Sequence, residues 1–338
     1  MRLLPICEEG DLIVMRLKQV VNLRDWQQRN IAVGYGTRDK IVLKQTPKGK
    51  VYFLAKTYDK DIGELRSEVC ASNLGRLFGF SVQKTWLCKI PQYKTLKLSH
   101  RLGVLIQLDV RRQSDTRRNQ FREDLIHGDA IISVVHKNFT SLKEGSERRN
   151  AYTLQAVVDG IRKYVADHKN SEALWEQFFE LLAFDALIGG TDRHYNNWGI
   201  LEKADTGEFI RLVPAFDNGA SLMWKLEEYR PKFMKDLISK NFPRKAESMF
   251  KKTGGGKYSL FAAVEAFYTL GDFKGSDIAV RLLDRLESIR PSRIGSVLFN
   301  NIPQQKQFET QRANLGVICE YAKIRLSLLK ETLSKLGS

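Results

Sequence analysis

The chain changes periodicity once along its 338 residues, and that change restricts its architecture more than any other feature. Up to about residue 110, short runs of β-branched and aromatic residues alternate with turn residues: LIVMRL at 12–17, KIVLK at 40–44, VYFLAK at 51–56 and GVLIQL at 103–108. These runs predict strands of one small sheet. Between the third and fourth lies DIGELRSEVCASNLGRLFGF, where Leu65, Val69, Leu74, Leu77 and Phe78 recur at near-helical spacing and Gly79 supplies a stop. Beyond residue 110 the period is mostly helical. It is clearest in SEALWEQFFELLAFDALI at 171–188, with Ser171 as its expected N-cap. A C-terminal stripe of Ile318, Ala322, Leu326, Leu329, Leu333 and Leu336 reads as core packing. The expectation is an α+β fold in two lobes: residues 1–109 as a sheet with one helix, and 110–338 as a larger helical lobe. RRQSDTRRNQ (111–120) and KKTGGGKYS (251–259) read as linkers.

Composition narrows the function classes. No window approaches the roughly 18 consecutive apolar residues of a membrane span, and Glu8, Glu9 and Asp11 interrupt the brief apolar start before a secretory core forms. A cytoplasmic protein is expected. Cys7, Cys70, Cys88 and Cys319 are scattered, so reduced thiols are expected rather than a disulfide framework or a zinc knuckle. The net charge of +16 would steer polyanions toward the surface. Basic pairs at Arg111-Arg112, Arg117-Arg118, Arg244-Lys245 and Lys251-Lys252 suit a phosphate backbone, yet no zinc finger, RRM-type signature or basic zipper accompanies them. Nucleic acid is thus a possible partner without a specific motif. The other reading of the charge is a solvated surface with local positive charge for a nucleotide.

Two segments carry chemistry. GTDRHYNNWGIL (190–201) follows the 171–188 helix and holds Asp192 and Asn197 five residues apart. In phosphoryl transfer one tight loop must aim a carboxylate at the acceptor hydroxyl and a neutral oxygen at a metal, and kinase catalytic loops use this separation. About twenty residues on, LVPAFDNGASL (212–222) delivers Asp217 from an apolar run, followed by Asn218 and Gly219. A carboxylate there suits Mg²⁺, a hard cation that bridges ATP phosphates. Each segment alone also reads as a polar turn; the pair in this order favours a two-lobed, protein-kinase-like fold. KTGGGK (252–257) fails as a P-loop, because Tyr258 stands where Ser or Thr is required.

These segments resemble the C-terminal kinase lobe of the HipA-like serine/threonine kinases, through Asp185, Ile188, Gly189, Asp192, His194, Asn197, Pro214, Phe216 and Asp217. FREDLIHGDAIIS (121–133) is similar to a less specific LxHG stretch of smaller relatives, and the likeness spans roughly residues 30–225. It implies Asp192 as catalytic base or hydroxyl-orienting residue, and Asn197 and Asp217 as Mg²⁺ ligands. Lys56, at the end of VYFLAK, falls where the phosphate-holding Lys sits, with Glu68, preferred to Glu64, as its partner. VGYGTRDK (33–40) resembles the phosphate loop and contributes Gly36, Thr37, Arg38 and Lys40; Gln107 and His194 complete the expected ATP contacts, although for His194 a structural hydrogen bond to the loop backbone is the favoured reading. Arg193 reads by default as solvent-exposed, with pairing to a loop carboxylate or a phosphorylated residue as the alternative.

The chain departs from many HipA proteins in two respects. Val33 stands about where they carry an autophosphorylated Ser, although Tyr35 or Thr37 offers a substitute hydroxyl. The chain is also short for their extra N-terminal subdomain, which places a helix-turn-helix antitoxin partner in doubt. The leading expectation is an ATP- and Mg²⁺-dependent protein Ser/Thr kinase whose protein substrate belongs, by analogy, to the translation machinery. The alternatives are a phosphoinositide or small-molecule kinase and a non-catalytic nucleotide-binding module.

Overall fold

The structure, a computed structural model, describes residues 20–24, 26–29, 40–45, 51–57, 62–90, 102–108, 123–143, 145–166, 171–228, 239, 241–304 and 309–338. The strand expected at 12–17 and the linker at 111–120 lie outside them, as does the start of the second lobe.

The first lobe holds β1 (Val21–Asn22), β2 (Gln27–Arg29), β3 (Lys40–Lys44), β4 (Phe53–Thr57), α1 (Ile62–Leu77), β5 (Thr85–Lys89) and β6 (Leu102–Gln107). The six strands form one sheet in the order β1-β5-β6-β4-β3-β2, antiparallel except for the β1–β5 pair. Alternation along β6 serves both faces: Val104 and Ile106 join α1 in the main core, while Leu105 faces a smaller core with Leu43, Phe53, Ala55 and Cys88. α1 ends where its sequence says. Gly79 takes φ 72°, its N–H reaches the Arg76 carbonyl and the Phe80 N–H reaches the Gly75 carbonyl, a Schellman cap that only a residue tolerant of left-handed backbone completes without strain.

The second lobe is less purely helical than its periodicity suggests. β7 (Glu123–His127) leads directly into α2 (Gly128–Ser133), followed by α3 (Ser146–Ala151), α4 (Leu154–Val165) and α5 (Ser171–Ile188). β8 (Gly199–Lys203) and β9 (Phe209–Leu212) pair with β7 as a three-stranded antiparallel sheet. The segment expected as a linker at 251–259 instead builds a hairpin: β10 (Glu247–Lys251) and β11 (Lys257–Ser259) flank a tip of three glycines with positive φ. The hairpin follows α6 (Asn241–Arg244) and leads into α7 (Leu260–Leu270), α8 (Ile278–Glu287), α9 (Ser292–Asn301), α10 (Glu309–Ala313) and α11 (Leu315–Gly337). α5 is the axis of this lobe, buried from Leu181 to Ile188 and packed against α7 and α11. The C-terminal stripe packs inside the protein as expected: Ile318, Ala322, Leu326, Leu329 and Leu333 of α11 are buried against α5, α8 and α9. Among the described residues no helix is long and apolar enough to cross a membrane.

The two lobes share one hydrophobic core. α1 packs against α9, and the Ser81 carbonyl and Gln83 N–H clasp the backbone of Ala215, two residues before Asp217. The second candidate motif is thereby tied to the first lobe.

Candidate active site

The loop after α5 is wound around its own backbone. The Asp192 carbonyl accepts from the His194 N–H at 2.9 Å and from Asn197 Nδ2 at 2.8 Å, while the Asn197 N–H donates to the His194 carbonyl at 2.8 Å. Because the Asn197 amide nitrogen is committed inward, its oxygen is the atom left for a ligand. His194 Nδ1 accepts from the Asn196 N–H at 3.2 Å, so one ring nitrogen serves the loop itself. The Asp192 side chain is exposed at the loop's mouth. The protein packed beside it pushes its carboxyl above the ordinary range, aided by the Asp217 charge and opposed by His194, Arg193 and Arg149.

Arg193 overturns the expectation of solvent exposure. It is 4% exposed and its guanidinium forks onto Asp185, 1% exposed, with Nε at 3.0 Å and an Nη at 2.8 Å. Its remaining bonds go to the Asn197 carbonyl at 2.8 Å, the Phe216 carbonyl at 2.7 Å and Asn218 Oδ1 at 2.8 Å. One side chain therefore fixes both candidate loops to α5. Burial pushes the Asp185 carboxyl up against the pull of the Arg193 charge, while the Asp185 charge and hydrogen bonds hold the Arg193 guanidinium above its ordinary value despite burial; the bidentate geometry and three added acceptors satisfy the buried cation.

Asp217 sits at φ 54°, and Leu222 and Met223 that follow are also left-handed, at 48° and 56°. An Asp tolerates that conformation and a Leu does so only at a cost, so this segment is strained where a functional site is expected. Lys56 Nζ donates to Asp217 Oδ1 across the cleft. Desolvation pushes the Asp217 carboxyl up, yet the Lys56 charge and hydrogen bond, with His194 and Arg193, hold it below the ordinary range. Glu68 is buried on α1, and its carboxylate lies 3.3 Å from the place a Cβ on Gly219 would take, beside the same loop.

Lys40 stands directly opposite Lys56 in the β3–β4 register. Like charges facing each other across a ladder are unfavourable, and burial followed by the Lys56 charge pushes the Lys40 ammonium down. Gln107 ends β6, three register pairs from Lys56, with its Oε1 buried and unpartnered among the described residues. The loop residues Gly36, Thr37 and Arg38 lie outside the described residues. The structure thus brings together Lys40, Lys56, Glu68, Asp192, His194, Asn197 and Asp217. Gly128 explains the LxHG stretch: a Cβ there would fall 2.3 Å from the indole of Trp198, the residue that follows Asn197.

The donor set suits a hard cation. Asn197 and Asp217 offer one oxygen each from two loops. Among the described residues no cluster of three or more His, Cys, Asp or Glu side chains could hold a metal by itself. Mg²⁺ matches such a site because it takes one or two protein oxygens and completes its shell with phosphate and water.

In structure the chain resembles the Helicobacter pylori proinflammatory kinase CtkA, with a TM-score of 0.62 and 18% identity over 94% of this chain and 96% of that one. It also resembles HipA of Shewanella oneidensis MR-1, solved in a toxin–antitoxin complex with HipB and operator DNA, at a TM-score of 0.56 and 12% identity over 93% and 69% of the two chains. At these identities the likeness shows a shared fold. No curated protein matches the chain in sequence. The HipA-like C-terminal domain family matches residues 33–254, about two thirds of the sequence and every described residue of the site, and the chain belongs to that family.

Proposed function

We propose that the protein is a kinase that transfers the γ-phosphoryl group of ATP to a Ser or Thr hydroxyl of a protein. One observation carries the reading: the Lys56–Asp217 pair across the cleft meets the Asp192–Asn197 loop, with both loops pinned by Arg193. A lysine from a strand, two oxygen ligands and an outlying carboxylate are the parts that phosphoryl transfer needs.

In this reading Lys56 and Lys40 hold phosphate oxygens, and the mutual repulsion of the two ammoniums is relieved when an anion lies between them. Gln107 Oε1 accepts from the adenine amino group, which satisfies a buried acceptor. Asn197 and Asp217 would hold Mg²⁺, which supplies charge neutralisation for the phosphates. Asp192 accepts the hydrogen bond of the acceptor hydroxyl and orients its lone pair, and its exposed position leaves room for a protein segment to approach. Arg193 touches no substrate. It sets the distance between the Asp192 and Asp217 loops, an acceptor-to-phosphate distance on which rate depends steeply.

The test is incubation of the purified protein with γ-labelled ATP, Mg²⁺ and a cell lysate, followed by phosphosite mapping. Label on Ser or Thr that is lost in Asp192→Asn is the expected result. Label confined to lipid, to small molecules or to Tyr contradicts it.

A further inference from the structure

Beside the catalytic loop, the β10–β11 hairpin faces the first turn of α4 and the segment after α2, and a groove of about 700 Å³ runs between them. Lys251, Lys252 and His136 line it, with Asn150 and Gln155 as neutral polar groups. The lining carboxylate, Asp159, is already engaged by Gln155 Nε2 at 2.9 Å and by Arg162 at 3.4 Å. Lys257 faces Lys251 directly across the hairpin, so a second pair of like charges stands opposed on a ladder. The uncompensated charge of this groove is positive.

The groove is wired to the site. Tyr152 donates through its hydroxyl to the Arg193 carbonyl at 3.0 Å, and its own carbonyl accepts from the Lys251 N–H at 3.0 Å. Thr153 bridges to Lys251, and Asn150 follows Arg149, whose guanidinium is close enough to act on the Asp192 carboxyl. A chain lying in the groove would therefore run toward the exposed face of Asp192.

We propose that this groove docks an acidic segment of the acceptor protein and so sets the substrate class of the kinase. The lysines meet its carboxylates, while Asn150 and Gln155 suit the amide groups of an extended backbone. A peptide is favoured over a nucleic acid because no Phe, Tyr or Trp lines the groove to stack a base. The assignment rests on the kinase reading only for the delivery of a hydroxyl to Asp192.

Fluorescence anisotropy of a labelled peptide carrying one Ser between runs of Glu, titrated with the full chain, measures docking without requiring transfer. The double variant Lys251→Gln/Lys252→Gln should weaken binding by about tenfold. Thr253→Glu, at the exposed hairpin tip, should weaken it too without touching the core. A Lys-flanked peptide should bind poorly to every form. Unchanged binding in both variants overturns the proposal. Tighter binding of a single-stranded oligonucleotide through the same lysines also overturns it, as does self-association abolished by the substitutions. In a parallel transfer assay, phosphorylation of Ser peptides with no acidic preference removes the docking assignment and leaves the kinase standing. Lysine-dependent peptide binding with no transfer to any hydroxyl does the reverse.

Discussion

The two sides of the cleft are held by opposite physics. On the helical side, Asp192, Asn197 and the backbone leading to Asp217 are fixed by a buried ion pair and its accessory hydrogen bonds, in the larger of the two cores. On the sheet side, Lys40 and Lys56 project from neighbouring strands with their charges opposed. One side is tied together by a buried, neutralised pair; the other carries two neighbouring ammoniums, of which Lys56 meets Asp217. Preorganisation is therefore concentrated where geometry decides the rate, and electrostatic tension where binding is rewarded.

That contrast is broken most directly at Asp185. Asp185→Ala leaves the Arg193 guanidinium buried without its partner and should cost about 3–5 kcal/mol of stability, read as the shift in a denaturant midpoint. Asp185→Asn keeps the shape and removes the charge, so it should lose less stability while turnover still falls. A full loss in Asp185→Ala with stability and turnover intact in Asp185→Asn would mean that packing and neutral hydrogen bonds, not the ion pair, sustain the loop.

Gly128→Ala tests the next contact. A methyl there meets the Trp198 indole, and overpacking of this kind costs about 1–3 kcal/mol. Lysine-side binding in this variant should be spared, so nucleotide affinity should hold while thermal stability drops. Loss of both together would merge the two sides that the structure separates.

Lys40→Met should have the smallest effect on folding, and in the opposite direction. Its ammonium is pushed down from the ordinary value of 10.5 by burial and by Lys56. In the alkaline window below 10.5 the unfolded chain then binds more protons than the folded one, so stability should rise with pH there. The Met variant should lack that rise and be no less stable at neutral pH, while binding ATP several-fold more weakly. Urea midpoints across the alkaline range check the slope, and a fall in stability at neutral pH would contradict it.

Much of this was legible in the sequence. α5, α1 and the buried stripe of α11 follow from long apolar periodicity, and the Asp192 and Asp217 loops from their spacing and order. The short strands were harder. TWLCK, now β5, is too brief to outweigh its neighbours, and the hairpin at 247–259 was masked by three glycines that form only its tip. The burial of Arg193 is not legible locally, because a loop arginine is exposed by default. Its signal lay eight residues earlier: Asp185 is a lone carboxylate within LLAFDALIGG, and a charge in so apolar a helix demands a buried cation. The opposition of Lys40 and Lys56 depends on strand register, which no local pattern fixes.

The central claim is that Asp192 serves the acceptor and Asp217 the metal. Calorimetric titration of Asp192→Asn, Asp217→Ala and Lys56→Ala with a non-hydrolysable ATP analogue, with and without Mg²⁺, tests it most directly. Asp192→Asn should abolish transfer yet keep Mg²⁺-dependent affinity within a few-fold. Asp217→Ala should weaken it by at least about tenfold, or roughly 1.4 kcal/mol, and Lys56→Ala should weaken binding even when Mg²⁺ is omitted. Loss of nucleotide binding in Asp192→Asn, with binding and turnover intact in Asp217→Ala, would contradict the account.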